Sequence, residues 1–404
     1  MNEMTLHLMY DLLKLVEYTV FGYLAISCLY IFVFSVAGLF YRRRHSSVAM
    51  NQNKIAVLIP AYKEDGVIVE VTKMALEQHY PSEAYDVIII ADTLQKQTLS
   101  RLKELPIKTI EVAFENSTKS KALNGAMAVL PEHYDYAIIL DADNIMAPDF
   151  LVKMNAAFEN GYQIVQGHRK AKNRNTSYAI LDGISEEINN HIFRKGHRVL
   201  GLSSGLIGSG MGFDYHLFKT MMQTVNAVGG FDKELEFKFA GKRIKIEYLE
   251  DAVVYDEKIQ KASDFSKQRR RWLATQFIYL KTYVIPSCRA LILKGNIDLF
   301  DKAFQMVVPP RLLLIGMTFL ISAVYAVLTL INIQSHVKVE LWLMNLGIGV
   351  MAFLLAIPKS SYNRHTLKAM LTLPSAFMRM LLLLFKLKGA NQKFIHTVHG
   401  TVKN

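Results

Sequence analysis

The chain has 404 residues, 51% hydrophobic and 20% charged, with a formal net charge of +12. That length holds one large soluble domain with a membrane part beside it. A basic surplus suits nucleic acid, an anionic membrane face or a phosphorylated substrate, while two cysteines, Cys28 and Cys288, both in apolar surroundings, exclude a disulfide framework or a cysteine zinc site. The placement of the charge points away from nucleic acid. Arg42, Arg43 and Arg44 follow one apolar segment, and Arg269, Arg270 and Arg271 precede Trp272 and another, as on a cytoplasmic membrane face.

Thr19–Tyr41 is free of charge and long enough to span a bilayer. Glu3, Asp11, Lys14 and Glu17 precede it and YRRR follows, the reverse of a signal peptide. Residues 1–45 therefore read as a retained anchor, N-terminus outside and Arg42 inside. Lys54–Tyr62 is a buried strand, Val67–His79 a helix, and Asp86–Asp92 a second strand closing on a carboxylate. Gln95–Leu105 reads as a helix, Thr109–Phe114 as an edge strand and Lys119–Leu130 as a helix. Strands alternating with helices at this spacing imply an α/β fold with a mostly parallel sheet. No GxGxxG follows the first strand and no P-loop occurs, which argues against a dinucleotide fold.

The centre of the chain is Ala137–Asn144, AIILDADN. Ile138–Leu140 has the continuous apolar pattern of a strand buried on both faces. It runs into Asp141-Ala142-Asp143, and in an extended chain residues two apart point to one side. Both carboxylates then face the crevice at the carboxyl ends of parallel strands, where such sheets bind ligands. Paired carboxylates there suit Mg²⁺ or Mn²⁺ carrying a diphosphate. Beyond lie a helix at Pro148–Phe158, a strand at Gln163–Lys170, a long polar helix at Ser177–His197 and a glycine-rich loop at Gly201–Gly212. Ile244–Tyr248 and Val253–Tyr255 read as short strands around Leu249-Glu250-Asp251.

From Leu273 to Pro309, apolar residues interrupted by Lys281, Arg289, Lys294 and Lys302 suit interfacial helices. Leu312–Ile333 and Leu341–Ile357 read as a membrane hairpin within residues 311–357. Ala369–Phe385 carries Pro374 and Arg379; a charge at the bilayer centre costs roughly 2.5–3.5 kcal/mol, so residues 358–404 read as an interfacial helix and a cytosolic tail.

Several motifs now stand in a fixed order: IPAYKE at Ile59–Glu64, strand-end Asp92, KxxALN at Lys119–Asn124, the DAD, GGF at Gly229–Phe231, and QRRRW at Gln268–Trp272. In this the chain resembles the membrane-bound, inverting family 2 glycosyltransferases, the group of cellulose, chitin, hyaluronan and poly-N-acetylglucosamine synthases. The resemblance covers roughly Lys54 to Trp272 and implies a glycosyltransferase A-type, Rossmann-like cytosolic domain over residues 50–272. It implies that Asp141 and Asp143 hold Mg²⁺ or Mn²⁺. It also implies that Pro60, Tyr62, Glu64, Asp92, Lys119, Asp141, Gln268 and Arg271 bind the nucleotide sugar, a UDP-sugar foremost, and that Trp272 meets the acceptor. The partners implied are a glycan or lipid-linked acceptor, the membrane and export proteins. The product implied is a β-linked polysaccharide; single transfer to a polyprenyl phosphate, or a non-catalytic membrane scaffold, are the alternatives.

Two positions depart from the family. Lys63 stands where Asn is common, and the T-E-D base motif is absent as written. Glu234 precedes LEF, where the family has E-D-L, so Glu234 is expected as the general base with Asp232 second. Asp251, between two short strands, is expected to close a turn.

Overall fold

The computed structural model describes residues 3–42 and 51–387. Arg43, Arg44 and the tail beyond residue 387 lie outside the described residues. After α1 (Glu3–Leu39) come β1 (Ile55–Tyr62), α2 (Ile68–Ala75), β2 (Tyr85–Asp92), α3 (Lys96–Lys103), β3 (Lys108–Val112), α4 (Lys119–Val129) and β4 (Tyr136–Ile139). The chain continues through β5 (Ile145–Met146), α5 (Phe150–Glu159), β6 (Ile164–Ala171), α6 (Ser177–Asn189), a π-helical stretch at Asn190–Gly196 and α7 (His197–Val199). Then follow β7 (Met211–Asp214), α8 (Tyr215–Met222), α9 (Phe231–Gly241) and β8 (Glu247–Asp256). The remainder is helical: α10 (Ala262–Lys294), α11 (Ile297–Val307), α12 (Arg311–Leu330), α13 (Val339–Ala356), α14 (Arg364–Met370) and α15 (Leu373–Leu384).

The strands form one sheet in the order β3-β2-β1-β4-β7-β6-β8-β5. The first four are parallel, as are β6 and β8, while β7 runs antiparallel to both β4 and β6. Ile138 and Ile55 pack on one face, Ile139 and Leu123 on the other, each within a buried cluster covered by helices. Every such side chain removed from water contributes about 1.5–3 kcal/mol, which explains the continuous apolar runs of β1, β2 and β4.

Three expectations change. The Gly201–Gly212 segment is not loop throughout, because Met211 and Gly212 begin β7. Gly212 fits there because a Cβ would fall 2.4 Å from Met154 Cε. The two short strands around Glu250 are one strand, β8, whose register jumps from Gly167↔Leu249 to His168↔Val253. Glu250–Ala252 thus form an irregularity within the strand, rather than a turn between two strands, and it presses on Gly167, where a Cβ would sit 2.8 Å from the Ala252 carbonyl. Finally, β4 stops at Ile139 and Asp141–Asp143 lie in a turn closed by Asn144 N–H to Asp141 O at 3.1 Å. The extended-strand argument for the direction of the two carboxylates therefore does not apply.

Three helices are long and apolar enough to cross a membrane, His7–Leu39, Arg311–Leu330 and Val339–Ala356; α14 and α15 together make a further apolar pair bent by 41°. Glu17 of α1 accepts backbone N–H bonds from His336 and Val337 in the α12–α13 connection. Near its other end α1 meets the π-helical stretch, where Gly196 lies so close that a Cβ would reach 2.1 Å from the Phe34 carbonyl.

Candidate active site

The site is assembled at the carboxyl ends of β1, β2 and β4. Tyr62 and Asp92, the last residues of β1 and β2, are register partners. Lys63 donates its N–H to Asp92 O at 3.2 Å, and Lys63 and Thr93 then turn aside together with φ of 57° and 59°. Asp92 is buried and accepts the Thr93 hydroxyl at 3.0 Å. Pro60 is tolerated in a central strand because β1 and β4 part after the Leu58↔Ile139 pair and Leu140 N–H to Leu58 O, so its missing N–H lacks no partner strand. The Glu64 carbonyl accepts the N–H groups of Val67 and Ile68 at the start of α2. Between the ends of β2 and β3 lies a cavity of about 240 Å³ lined by Thr93, Leu94, Leu99 and Glu111, among others.

Lys119, the first residue of α4, reaches across this edge. Its ammonium pairs with the Asp141 carboxylate, donates to Gly208 O at 2.6 Å and lies 5.3 Å from the centre of the Phe231 ring. The Asp141 N–H is held by Ser209 Oγ at 2.9 Å, and the same hydroxyl meets Asn144 Nδ2 at 2.6 Å. Asp143 is buried in the turn, 7% exposed. Among the described residues no three His, Cys, Asp or Glu side chains gather as a metal cluster. Two carboxylates fit a hard cation shared with a diphosphate and water, and they do not make an all-protein zinc site.

The two candidate bases part company. Gly230, with φ of 75°, launches α9. Asp232 on its first turn brings Oδ2 to 3.9 Å from where a Cβ on Gly208 would stand. Burial pushes its carboxyl above the usual range and Glu236 adds to this, against the opposing charges of Lys233 and Lys119. Glu234 lies on another side of α9, 3.4 Å from Lys238 Nζ. Its charge, after burial, helps raise the hydroxyl of Tyr283 on α10 above the ordinary tyrosine range.

Helix α10 carries the last motif. Burial holds the Arg271 guanidinium below its usual range, opposed by the carboxylates of Asp141 and Asp232. Gln268 has a buried Oε1 without a hydrogen-bond donor. Trp272 is 40% exposed and carries the Arg269 guanidinium over its ring at 4.2 Å. The structure thus brings Lys119, Asp141, Asp232 and Arg271 together, with Tyr62 and Asp92 at the neighbouring strand ends; Glu234 pairs with Lys238 of its own helix.

Some supporting residues carry no motif. Gln166 on β6 donates to the carbonyls of Gly167, Ser209 and Gly210 at 3.0, 3.0 and 3.2 Å, and accepts Ile207 N–H at 3.0 Å. Glu236 accepts Leu206 N–H at 2.8 Å, and Lys302 of α11 donates to the carbonyls of Ser203 and Ser204. Together they shape the glycine-rich loop that offers Gly208 to Lys119. In the sequence Gln166 is one of several polar residues in β6, IVQGHRKA, and nothing singles it out.

A sequence profile described as glycosyltransferase like family 2 matches residues 52–275. No curated protein sequence matches the chain. Among solved structures, the fold is similar to that of the mannosyltransferase PcManGT from Pyrobaculum calidifontis, solved in complex with GDP-Man and Mn2+ (TM-score 0.57, 15% identity, covering 93% of this chain and 99% of that one). Weaker similarity extends to S. aureus TarS 1-349 in complex with UDP (TM-score 0.37, 16% identity, 54% of this chain and 63% of that one). It extends likewise to glucosyl-3-phosphoglycerate synthase from Mycobacterium tuberculosis, solved with Mn2+, UDP and glucosyl-3-phosphoglycerate (TM-score 0.40, 15% identity, 58% and 84%). With more than half its length matched by the profile and a mixed, mostly parallel sheet bearing Asp141 and Asp143 at a strand end, this chain belongs to the glycosyltransferase like family 2.

Proposed function

We propose that the chain is an integral membrane glycosyltransferase that moves a sugar from a nucleoside-diphosphate donor, a UDP-sugar foremost, to a glycan or lipid-linked acceptor with inversion, building a β-linked product. The observation that carries this reading is the convergence of Lys119, Asp141, Asp232 and Arg271 beside the ends of β1, β2 and β4. Tyr62 and Asp92 would take the base and ribose, with Pro60 and Glu64 shaping the turn after β1. Asp141 and Asp143 would hold Mg²⁺ or Mn²⁺, which neutralises charge growing on the departing diphosphate. Lys119 and Arg271 share that task from the protein side, because fixed cations in a buried site stabilise developing charge without reorganising. Asp232 is the better-placed general base. A carboxyl raised by burial is more basic than a solvated one, and it faces the crevice next to Gly208. Gln268 and Trp272 belong to the sugar end of the site, the exposed indole offering an apolar plane to an acceptor ring.

The catalytic domain and α10–α11 would lie on the cytoplasmic side, with α1, α12 and α13 crossing the membrane and export proteins receiving the product. The test is to incubate the full-length protein in membranes with a panel of nucleotide sugars and Mn²⁺ or Mg²⁺, and to identify the product. Binding of each nucleotide is measured separately. Asp143→Asn should abolish metal-stimulated transfer in folded protein. Binding of no nucleotide, or full activity in Asp143→Asn, overturns the reading.

A further inference from the structure

Helix α11 carries a polar inner face. A helix on a domain surface turns apolar side chains inward at i, i+3, i+4 and i+7. In α11 those places are held by Asp298, Asp301, Lys302 and Gln305, and all four are buried. Buried polar groups are costly unless they find partners, so the partners decide where this helix docks. Toward the catalytic domain, Asp298 accepts the N–H and the hydroxyl of Ser203 at 2.8 and 2.5 Å. Lys302 donates to the carbonyls of Ser203 and Ser204 at 2.9 and 3.1 Å, and its ammonium stands 3.5 Å from the Glu236 carboxylate. Toward the apolar helix α1, Asp301 accepts the Tyr30 hydroxyl at 2.7 Å and the Gln305 amide at 2.8 Å. The same carboxylate lies 3.3 Å from His197 Nε2, and Phe34 of α1 stacks on the His197 ring at 3.8 Å.

Ser203 and Ser204 begin the stretch of loop that leads to the site. Gly205 N–H bonds Phe193 O at 3.0 Å, and Leu206 N–H bonds Glu236 at 2.8 Å. Gly208 then offers its carbonyl to Lys119, and Ser209 its hydroxyl to the Asp141 N–H. Glu236 stands one turn after Asp232 on α9. Lys302 therefore grips both the loop and α9, while itself only 1% exposed. Misplacing a reacting group by about 1 Å can cost about 10²-fold in rate, and a fully partnered buried polar network holds one arrangement.

We propose that Lys302 and Asp298 are positioning residues for the transfer site, docked by the Asp301–Tyr30 bond, so that α1 is part of the working site and more than a membrane anchor. The inference rests on the glycosyl-transfer reading and adds to it the residues that hold the loop in register.

The test follows the full-length protein in lipid nanodiscs. Amide hydrogen exchange over residues 203–209 reports opening of the loop, and calorimetry reports binding of UDP and of GDP with Mn²⁺. Lys302→Met should raise loop exchange and weaken nucleotide binding roughly tenfold. It should also lower the unfolding temperature, because Glu236 loses a buried partner. In Lys302→Met with Glu236→Gln the unfolding temperature should recover while nucleotide binding stays weak. A merely stabilising ion pair would restore both together. Tyr30→Phe, which takes only the hydroxyl, should raise loop exchange in the same direction. Ser27→Ala, whose hydroxyl bonds Tyr23 O of its own helix, should leave it unchanged. Exchange and binding unaltered in Lys302→Met, or binding that recovers with stability in the double variant, overturns the positioning role. Exchange unaltered in Tyr30→Phe, or raised equally in Ser27→Ala, overturns the tie to α1. If the unaltered protein binds neither nucleotide, the transferase reading fails, and loop exchange in the variants still decides whether α11 holds the loop.

Discussion

The Tyr279 hydroxyl donates to the Gly230 carbonyl across 3.1 Å, joining α10, which carries Arg271 and Trp272, to the turn that launches Asp232. Gly230 also lies against Thr275 on the same helix, where an added Cβ would approach Cγ2 to 2.5 Å. The GGF turn and the QRRRW helix are thus packed directly on each other.

Gly230→Ala should therefore damage both stability and turnover. The left-handed backbone, φ of 75°, costs a residue with a Cβ about 1–2 kcal/mol, and overpacking against Thr275 adds about 1–3 kcal/mol. Tyr279→Phe, which removes only the hydrogen bond, should cost about 0.5–1.5 kcal/mol. Thermal unfolding in detergent, with kcat beside it, measures both. An unaffected Gly230→Ala would mean that the turn moves freely.

Asp232→Asn should reduce transfer by about 10²–10⁴ while sparing nucleotide binding, and Glu234→Gln should cost far less. The stability effect runs the other way. A carboxyl whose folded pKa is raised above its ordinary 3.8 favours the folded state at low pH, and that contribution is lost as pH rises through the folded value. Asp232→Asn should accordingly be more stable than the unaltered protein at neutral pH, with the gain vanishing below about pH 4. A larger loss of transfer in Glu234→Gln, on folded protein, would return the base to Glu234.

Much of this architecture is legible in the chain. β1, β2 and β4 are buried on both faces, so their runs of Ile, Val and Leu leave little choice of element. Asp92 and Asp141 stand at or just past the ends of those strands, while Arg271, well inside α10, is singled out only by the family resemblance. The direction of a side chain on a turn is different in kind. Asp232 and Glu234 stand two residues apart on one helix, about 200° around its axis, and which of them faces Gly208 depends on how Gly230 sets the helix against Thr275. β7 escaped because MGFD offers neither alternation nor a long apolar run; it is a strand only because β4 and β6 flank it. The loop clamp of Gln166 is likewise tertiary, its partners lying more than forty residues away except for Gly167.

Gln166→Leu tests that clamp. It would strand the Ile207 N–H and the Ser209 carbonyl in a buried site, each at about 1–3 kcal/mol, and release the loop that presents Gly208 to Lys119. The Michaelis constant for the donor should rise more than the unfolding temperature falls in Gln166→Leu, and Gln166→Asn should restore little. Unchanged donor kinetics would reduce Gln166 to a core hydrogen bond.

The last prediction concerns α14 and α15, which have the composition for a fourth crossing but a bend of 41° between them. α14 packs on α6 of the catalytic domain. Just past the end of α15, the Lys386 carbonyl accepts Arg270 Nε at 2.5 Å. Both ends of the pair are therefore held by α6 and α10. Arg379 sits within α15, where a central bilayer position would cost roughly 2.5–3.5 kcal/mol. We expect the pair to lie in the cytoplasmic interface as a bent, apolar lid over α12 and α10. With the native cysteines replaced, single cysteines at Ser360 and Lys386 should react with an impermeant maleimide only after the membrane is opened from the cytoplasmic side, and one at Thr5 only from the opposite side. Opposite labelling of positions 360 and 386 would establish a fourth crossing and place the end of α15 across the membrane from Arg270.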